Sequence, residues 1–329
     1  MAKVVRFHKM GGPEVLQIDN IEVDKPGKGE LRMKVKAIGL NRAEALYRKG
    51  EYLVQPNVPS KLGYEAAGIV DAVGPDVKEF AVGDIVSVMP PSSMEKYGVY
   101  GDLALVPTIS VVKHPSNLSY AEAAASWMQY LTAYGALFEI AKIKRGDYVV
   151  IPAASSSVGL AAIQLTNLVG ALPIAATRTA KKKKALLEAG AIEVIVTDEE
   201  NLTERLNQIT KNMGARIAFD PVGGKAVLAL AKGMSREGII IEYGALSQDP
   251  TPFPLFESLQ KGLTMRGYTL FEVLSHDKRR EEAKKFISDA LSKGLLKPII
   301  AKTFALDDIV EAHRYLESNQ QFGKIIVTV

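Results

Sequence analysis

The chain has 329 residues, enough for two domains of ordinary size, and its 47% hydrophobic and 24% charged composition excludes a disordered or collagen-like polypeptide. It contains no cysteine and only four scattered histidines (His8, His114, His276 and His313), which excludes disulfides, thiolate nucleophiles, iron–sulfur clusters and cysteine-containing zinc sites, and no metal is expected. The net charge of +4 is too slight to argue by itself for nucleic acid.

No apolar run reaches the ~18 residues of a membrane span, and Met1 to Phe7 alternate as a strand instead of forming a signal segment, so a cytoplasmic protein is expected. Up to about residue 120, alternating apolar stretches at 31–37, 67–74 and 84–88 are divided by turn residues such as Gly11-Gly12-Pro13, Pro26-Gly27 and Gly74-Pro75. Short strands at that spacing predict a twisted β-barrel or sandwich, interrupted by one helix near 43–49.

From about Asp147 the rhythm becomes strand–helix–strand. Apolar runs at 148–153, 172–176, 193–196, 216–219, 238–243 and 264–268 alternate with helical patterns such as 158–169 and 181–189. Six such runs predict a doubly wound parallel sheet. A strand at 297–300, a helix at 306–318 and a strand at 324–329 close the chain. So short a tail cannot bury itself and is expected to return to the barrel, giving residues 1–122 with 295–329 as one domain and 123–294 as the other.

The turn after the first strand of the parallel sheet reads Ala153-Ala154-Ser155-Ser156-Ser157-Val158-Gly159. A G-x-G-x-x-G fingerprint would need glycines at 154, 156 and 159, and only Gly159 is present. Strand, small-residue turn and helix nevertheless suit a pyrophosphate at the helix start. An ordinary serine-capped helix reads equally well from the turn alone. The second strand decides between them. It ends near Thr177, and nineteen residues past Gly159, where a carboxylate would hold a ribose hydroxyl, stands Arg178, followed by Thr179-Ala180-Lys181-Lys182-Lys183-Lys184. Arginine there favours a 2′-phosphate, hence NADP(H), with Arg178 and Lys182 as its main partners. Thr179 reads as an N-cap, and first-turn cations oppose the helix dipole unless an anion compensates them.

Five ordered motifs carry a resemblance: His8-Lys9-Met10-Gly11-Gly12-Pro13-Glu14-Val15-Leu16, Gly39-Leu40-Asn41-Arg42-Ala43-Glu44, Gly63-Tyr64-Glu65-Ala66-Ala67-Gly68, Val82-Gly83-Asp84 and Leu131-Thr132-Ala133-Tyr134. Together they resemble the medium-chain dehydrogenase/reductase superfamily, in its zinc-independent quinone oxidoreductase branch. The resemblance implies an α/β protein in which a GroES-like barrel holds a Rossmann domain, with the active site in the cleft between them. The places of the catalytic zinc ligands in metal-dependent relatives hold Asn41, Tyr64 and Met128. Two departures stand out. The family's Gly-Gly-Val-Gly turn is Ser156-Ser157-Val158-Gly159, and Thr197 replaces a tyrosine common after the third strand.

A nicotinamide delivers hydride from C4, so the protein must supply position, charge complementarity and a dry site. The resemblance implies Asn41, Tyr52 and Tyr64 around the substrate. Asn41 would bond a carbonyl or satisfy a turn, Tyr52 would donate a hydrogen bond or pack, and Tyr64 would give a polar lining. For the cofactor the resemblance implies Thr132 beside the nicotinamide and Phe322, Gly323 and Lys324 as a covering segment, while the residues themselves put Gly244 and Ala245 where the ring can approach, Ser156, Ser157, Val158 and Gly159 at the pyrophosphate, and Thr177, Arg178, Thr179 and Lys182 at the adenosine phosphate. Arg42 with Glu44 reads as an ion pair or helix-start charges, and Trp127 and Tyr130 as core or cleft lining. The expected activity is NADPH-dependent reduction of a quinone or conjugated enone by a homodimer. Reduction of an enoyl thioester and a cofactor-binding structural or RNA-associated role are the alternatives.

Overall fold

The computed structural model describes all 329 residues, in two compact units: residues 1–128 with 288–329, and residues 129–287. The first unit begins with β1 (Ala2–Phe7), β2 (Leu16–Ile21), β3 (Glu30–Gly39), α1 (Arg42–Lys49), β4 (Ser60–Lys61), β5 (Glu65–Val73), β6 (Ile85–Val88), α2 (Met94–Tyr97), β7 (Leu103–Pro107), β8 (Val111–Val112) and α3 (Tyr120–Ala124). In β3 the alternation works as written: Leu31, Met33, Val35 and Ala37 are buried, whereas Lys34 and Lys36 are exposed.

Helix α4 (Trp127–Tyr134) leads through a π-helical turn (Gly135–Ile140) to the second unit's strands and helices. They are β9 (Tyr148–Ile151), α5 (Ser157–Leu168), β10 (Leu172–Thr177), α6 (Lys183–Glu188), β11 (Glu193–Val196), α7 (Leu202–Ile209), β12 (Ala215–Asp220), α8 (Ala226–Gly233), β13 (Met234–Glu242), α9 (Leu255–Lys261), β14 (Thr264–Gly267) and α10 (Phe271–Leu274). Helix α11 (Asp277–Ser292) returns the chain to the first unit, which ends with β15 (Ile300–Ala305), α12 (Ile309–Glu317) and β16 (Lys324–Thr328).

The second unit's sheet has the order β11-β10-β9-β12-β13-β14, and every pair is parallel. Counted within the unit this is 3-2-1-4-5-6, the Rossmann order. It reverses between β9 and β12, which puts a ligand crevice at the carboxyl ends of the strands. One face is closed by Leu206, Val227, Leu230 and Ala231 packed on Val150, Ile174, Ala218 and Ile240.

The first unit pairs β2-β1-β4 in one sheet and β15-β16-β3-β5-β6-β8 in another, with β7 also on β3. The tail therefore returns to the barrel, β16 lying antiparallel to β3 and β15 parallel to β16. Three expected edges move. The strand expected at 297–300 is displaced to β15, where 300–305 find ladder partners on β16 that Pro298 cannot offer. Residues 123–128, expected in the second domain, pack into the first, because Ala123, Ala124 and Ala125 are buried against Ala37, Ala67 and Ile326. Residues 288–294 follow them, with Asn117 Nδ2 donating to Leu291 O at 3.2 Å. No helix is long and apolar enough to cross a membrane.

Candidate active site

In the second unit the turn between β9 and α5 sits at the topological switch point. Ala153 is held at φ +47°, a left-handed conformation costing about 1–2 kcal/mol for a residue with a Cβ. Gly159 cannot be larger, since a Cβ there would lie 2.6 Å from the Ala154 carbonyl oxygen. Ser156 is the N-cap of α5, its Oγ accepting from Gly159 N at 3.0 Å. The next N–H groups, of Ser157 and Val158, open the first turn free of helical partners and face outward with the positive end of the helix dipole.

Beyond β10, Thr177 is buried and its carbonyl accepts from Thr197 N at 2.9 Å. Arg178 is exposed and has no ion pair. Thr179 holds the N-cap position of a 3-10 turn (Ala180–Lys182), but its side chain makes no capping bond. The helix expected from 181 begins properly only at Lys183. Lys182 Nζ reaches back to donate to Ser155 Oγ at 3.1 Å. Burial pushes the Lys182 ammonium below its ordinary value, and the neighbouring Arg178 guanidinium lowers it further. Two cations thus crowd the edge of the turn, the electrostatic condition for holding a dianion. Ser155, which the sequence did not single out, is the bridge between turn and cation.

Thr132 is buried on α4, where Tyr130 Oη donates to Gln164 Oε1 of α5 at 2.9 Å. Tyr130 is thus core, and so is Trp127, whose Nε1 donates to Ser87 Oγ at 2.7 Å. Gly244 and Ala245 follow β13 directly, at the carboxyl edge of the sheet.

In the first unit the expected residues gather into a buried polar cluster. Asn41 caps α1, and its backbone N–H donates to Glu44 Oε2 at 2.7 Å. Its side-chain amide is fully engaged: Nδ2 faces Gly39 O, Glu44 Oε1 and Glu65 Oε1 at 3.1–3.3 Å, and Oδ1 accepts from Lys324 Nζ at 2.6 Å. Glu65 is fully buried, paired with Lys324, and accepts from Met128 N at 3.0 Å. Glu44, equally buried, also takes Tyr64 N at 2.8 Å and the Tyr100 hydroxyl. Burial pushes the Glu44 carboxyl above its ordinary range, opposed by these donors.

Lys324 is therefore an internal counter-ion and lies inside the cluster, although the resemblance implied a cofactor-covering role. Gly323 lets the chain turn into it at φ +103°, where a Cβ would strike the Ile299 carbonyl oxygen. Phe322 remains half-exposed. Arg42 does not pair with Glu44; it donates to Leu316 O at 2.8 Å and to Asn319. The places of the zinc ligands in metal-dependent relatives offer an amide, a phenol and a thioether, and the amide oxygen already holds an ammonium. Such a donor set does not fit zinc.

Tyr64 is buried and its hydroxyl is hydrogen-bonded to that of half-buried Tyr52. Burial raises both phenols, so both keep their protons at neutral pH. Tyr52 stands on the loop after α1, beside the exposed Leu53 and Val54. The polar cluster was partly readable: Asn41-x-x-Glu44 has the spacing of a capping box. Tyr100 gave no local signal, because its tie to Glu44 spans 56 residues of sequence.

Residues 27–116 match the alcohol dehydrogenase GroES-like domain, and residues 157–289 match the zinc-binding dehydrogenase family. The chain is 34% identical to quinone oxidoreductase 1 of Escherichia coli (strain K12), over 99% of both proteins. It is 29% identical to a 2-haloacrylate reductase of a Burkholderia species, over 99% of this chain and 98% of that protein. The crystal structure of an Escherichia coli quinone oxidoreductase complexed with NADPH superposes with a TM-score of 0.93 at 32% identity, covering both chains completely. With the barrel, the 3-2-1-4-5-6 sheet and both family matches in register, the chain belongs to the medium-chain dehydrogenase/reductase superfamily, in its quinone oxidoreductase branch.

Proposed function

We propose that the protein is an NADPH-dependent oxidoreductase that reduces a quinone or a conjugated enone without a metal. The observation that carries this reading is the Arg178–Lys182 pair, two neighbouring cations at the end of β10 with Lys182 tied to the phosphate-type turn through Ser155. NADPH, when bound, supplies a hydride from the nicotinamide. The chain's own residues bind and orient. Ser157 and Val158 offer free N–H groups to the pyrophosphate, while Ser156 and Gly159 shape that turn. Thr177, Arg178, Thr179 and Lys182 surround the adenosine phosphate, and Thr132, Gly244 and Ala245 serve the nicotinamide end.

In the first unit Tyr52 presents a protonated hydroxyl to the substrate, held by Tyr64 behind it. Asn41 acts through its neighbours: with its amide spent on Lys324, Glu44 and Glu65, it fixes the wall on which the two tyrosines stand. The 2-haloacrylate reductase among the relatives favours including conjugated C=C bonds in the substrate class. The same reading includes a cytosolic setting and a homodimer. Strand β14 is an exposed sheet edge paired only to β13, and Phe256 and Leu259 of the adjoining α9 are exposed, a combination that a two-fold partner would cover. Sedimentation of a 35.6 kDa species alone would count against the dimer.

The test of function is NADPH consumption with a quinone, an enone and a crotonyl thioester in parallel, with NADH as control. Turnover of quinone or enone by NADPH is expected to exceed turnover of the thioester. No oxidation of NADPH with any of the three would overturn the reading.

A further inference from the structure

At the carboxyl end of the parallel sheet, Asp220 of β12 and Glu242 of β13 are direct register partners, so their side chains leave the same face side by side. Asp220 is fully buried and its carboxyl accepts from Val222 N at 2.8 Å and Gly223 N at 3.2 Å. Glu242 is in a different position. Both of its carboxyl oxygens are buried, and neither meets an N–H or hydroxyl donor. The polar group beside it is the Asp220 carboxyl. Two adjacent carboxylates without a donor between them repel, and a proton held between them removes the charge and supplies the missing hydrogen bond.

Above this pair the two strands continue as loops that stay zipped together. Tyr243 N donates to Asp220 O at 2.9 Å, Leu246 N to Pro221 O at 3.0 Å, Ser247 N to Val222 O at 2.9 Å, and Gly224 N to Thr251 Oγ1 at 2.8 Å. The segment that carries Gly244 and Ala245 is thus anchored directly over the acid pair.

We propose that Asp220 and Glu242 share one proton, and that this proton keeps the loops 221–224 and 244–251 closed and so positions Gly244 and Ala245. The consequence for NADPH rests on the function proposed above; the proton lock itself does not. Burial pushes both carboxyls up, with Glu242 raised to about 8. Titratable and charged side chains on the surrounding elements are Tyr243, whose buried hydroxyl lies near Asp220, Arg216 of β12, Arg236 and Glu237 of β13, Lys225 at the N-cap of α8 and Lys232 within it, Asp249 of the upper loop, Glu257 and Lys261 of α9, and Arg266 of β14, which pairs with Glu272. None is bonded to either carboxyl. Closed, the pair keeps a proton that it releases when open across the range from the ordinary glutamate value of 4.5 to about 8. The closed state therefore weakens as pH rises through that window and levels off above it, by at most about tenfold in the opening constant per pH unit.

Hydrogen–deuterium exchange of peptides spanning 221–224 and 244–251, in the full chain without nucleotide, reads the lock directly. After correction for the intrinsic pH dependence of exchange, wild-type protection is expected to fall about tenfold or more between pH 6.0 and 8.5. Glu242→Gln, whose amide donates to Asp220 at every pH, is expected to stay flat, and the double variant Asp220→Asn/Glu242→Gln, with neither carboxyl left to titrate, is the second control. Protection that is pH-independent in the wild type, or that falls equally in wild type and variants, overturns the proposal. NADPH titrations at the same two pH values add a second readout, with affinity expected to fall more in the wild type than in Glu242→Gln. An equal fall in both removes the link to cofactor positioning. If NADPH binds at neither pH, the function reading fails while the exchange data still decide the lock.

Discussion

Two clusters of buried acids lie at opposite extremes of satisfaction. In the barrel unit, Glu44 and Glu65 are fully buried, yet Lys324, the Asn41 amide, Tyr100 and three backbone N–H groups meet their oxygens. In the parallel-sheet unit, Glu242 has buried oxygens with no donor at all, and Arg178, beyond the end of β10, carries a charge with no ion pair. The first arrangement fixes a structure. The second leaves charge or hydrogen-bonding capacity open, which is the condition for a ligand, a proton or a moving loop to matter. Burial of charge is therefore uninformative by itself, and the count of donors around it separates scaffold from site.

The comparison breaks most visibly if the barrel cluster loses its cation. Lys324→Met leaves Glu65 buried without its ion partner and is expected to destabilise the protein by about 3–5 kcal/mol. Urea denaturation monitored by fluorescence of Trp127 reads this directly. Adding Glu65→Leu to Lys324→Met is expected to recover much of the loss, since a buried pair replaced by apolar groups is often neutral.

Removal of the unpaired cation acts on binding and spares stability. Arg178→Ala is expected to weaken NADPH binding by about 1.5–3 kcal/mol, the range for a hydrogen bond to a charged group, with NADH nearly unchanged. Equal losses for both nucleotides, measured by fluorescence titration, would sink the assignment of this edge to the 2′-phosphate.

A smaller and more selective effect sharpens the distinction inside the barrel. Tyr52→Phe removes the half-buried hydroxyl and is expected to cost about 1.4–2.7 kcal/mol in the activation barrier for an enone, ten- to a hundredfold in rate. Reduction of a quinone is expected to suffer less, because its oxygens can take their protons from water, whereas the reduced enone needs a proton delivered to carbon. A variant as fast as wild type on the enone would remove Tyr52 from the chemistry.

The contrast also explains what could be read in advance. The six parallel strands were legible because each is a short apolar run bounded by turn residues, and β9 to β14 fall within a few residues of the runs at 148–153 to 264–268. The place of Arg178, exposed just beyond the end of β10, was legible because it is fixed by counting from Gly159. The roles of Asn41 and Lys324 were not. Both stand in recognisable motifs, but a motif carries no information about whether an amide or ammonium is already spent, and their bond joins positions 283 residues apart. Nor could an apolar strand pattern foretell that Asp220 and Glu242 come into register, since that requires the pairing of β12 with β13.

The route of the chain through its two units sets an order on synthesis. Residues 129–287 are contiguous and hold a complete six-stranded sheet, so this unit has all its parts once residue 287 has emerged. The barrel waits longer. Glu65 is made early, and its cation, Lys324, arrives only with β16, which also supplies the ladder partner of β3. At ~5–20 residues per second the interval from 128 to 324 is roughly 10–40 s. Throughout that time the nascent barrel keeps an acidic interior and an open strand edge, so the part of the protein that begins first on the ribosome is the part that closes last.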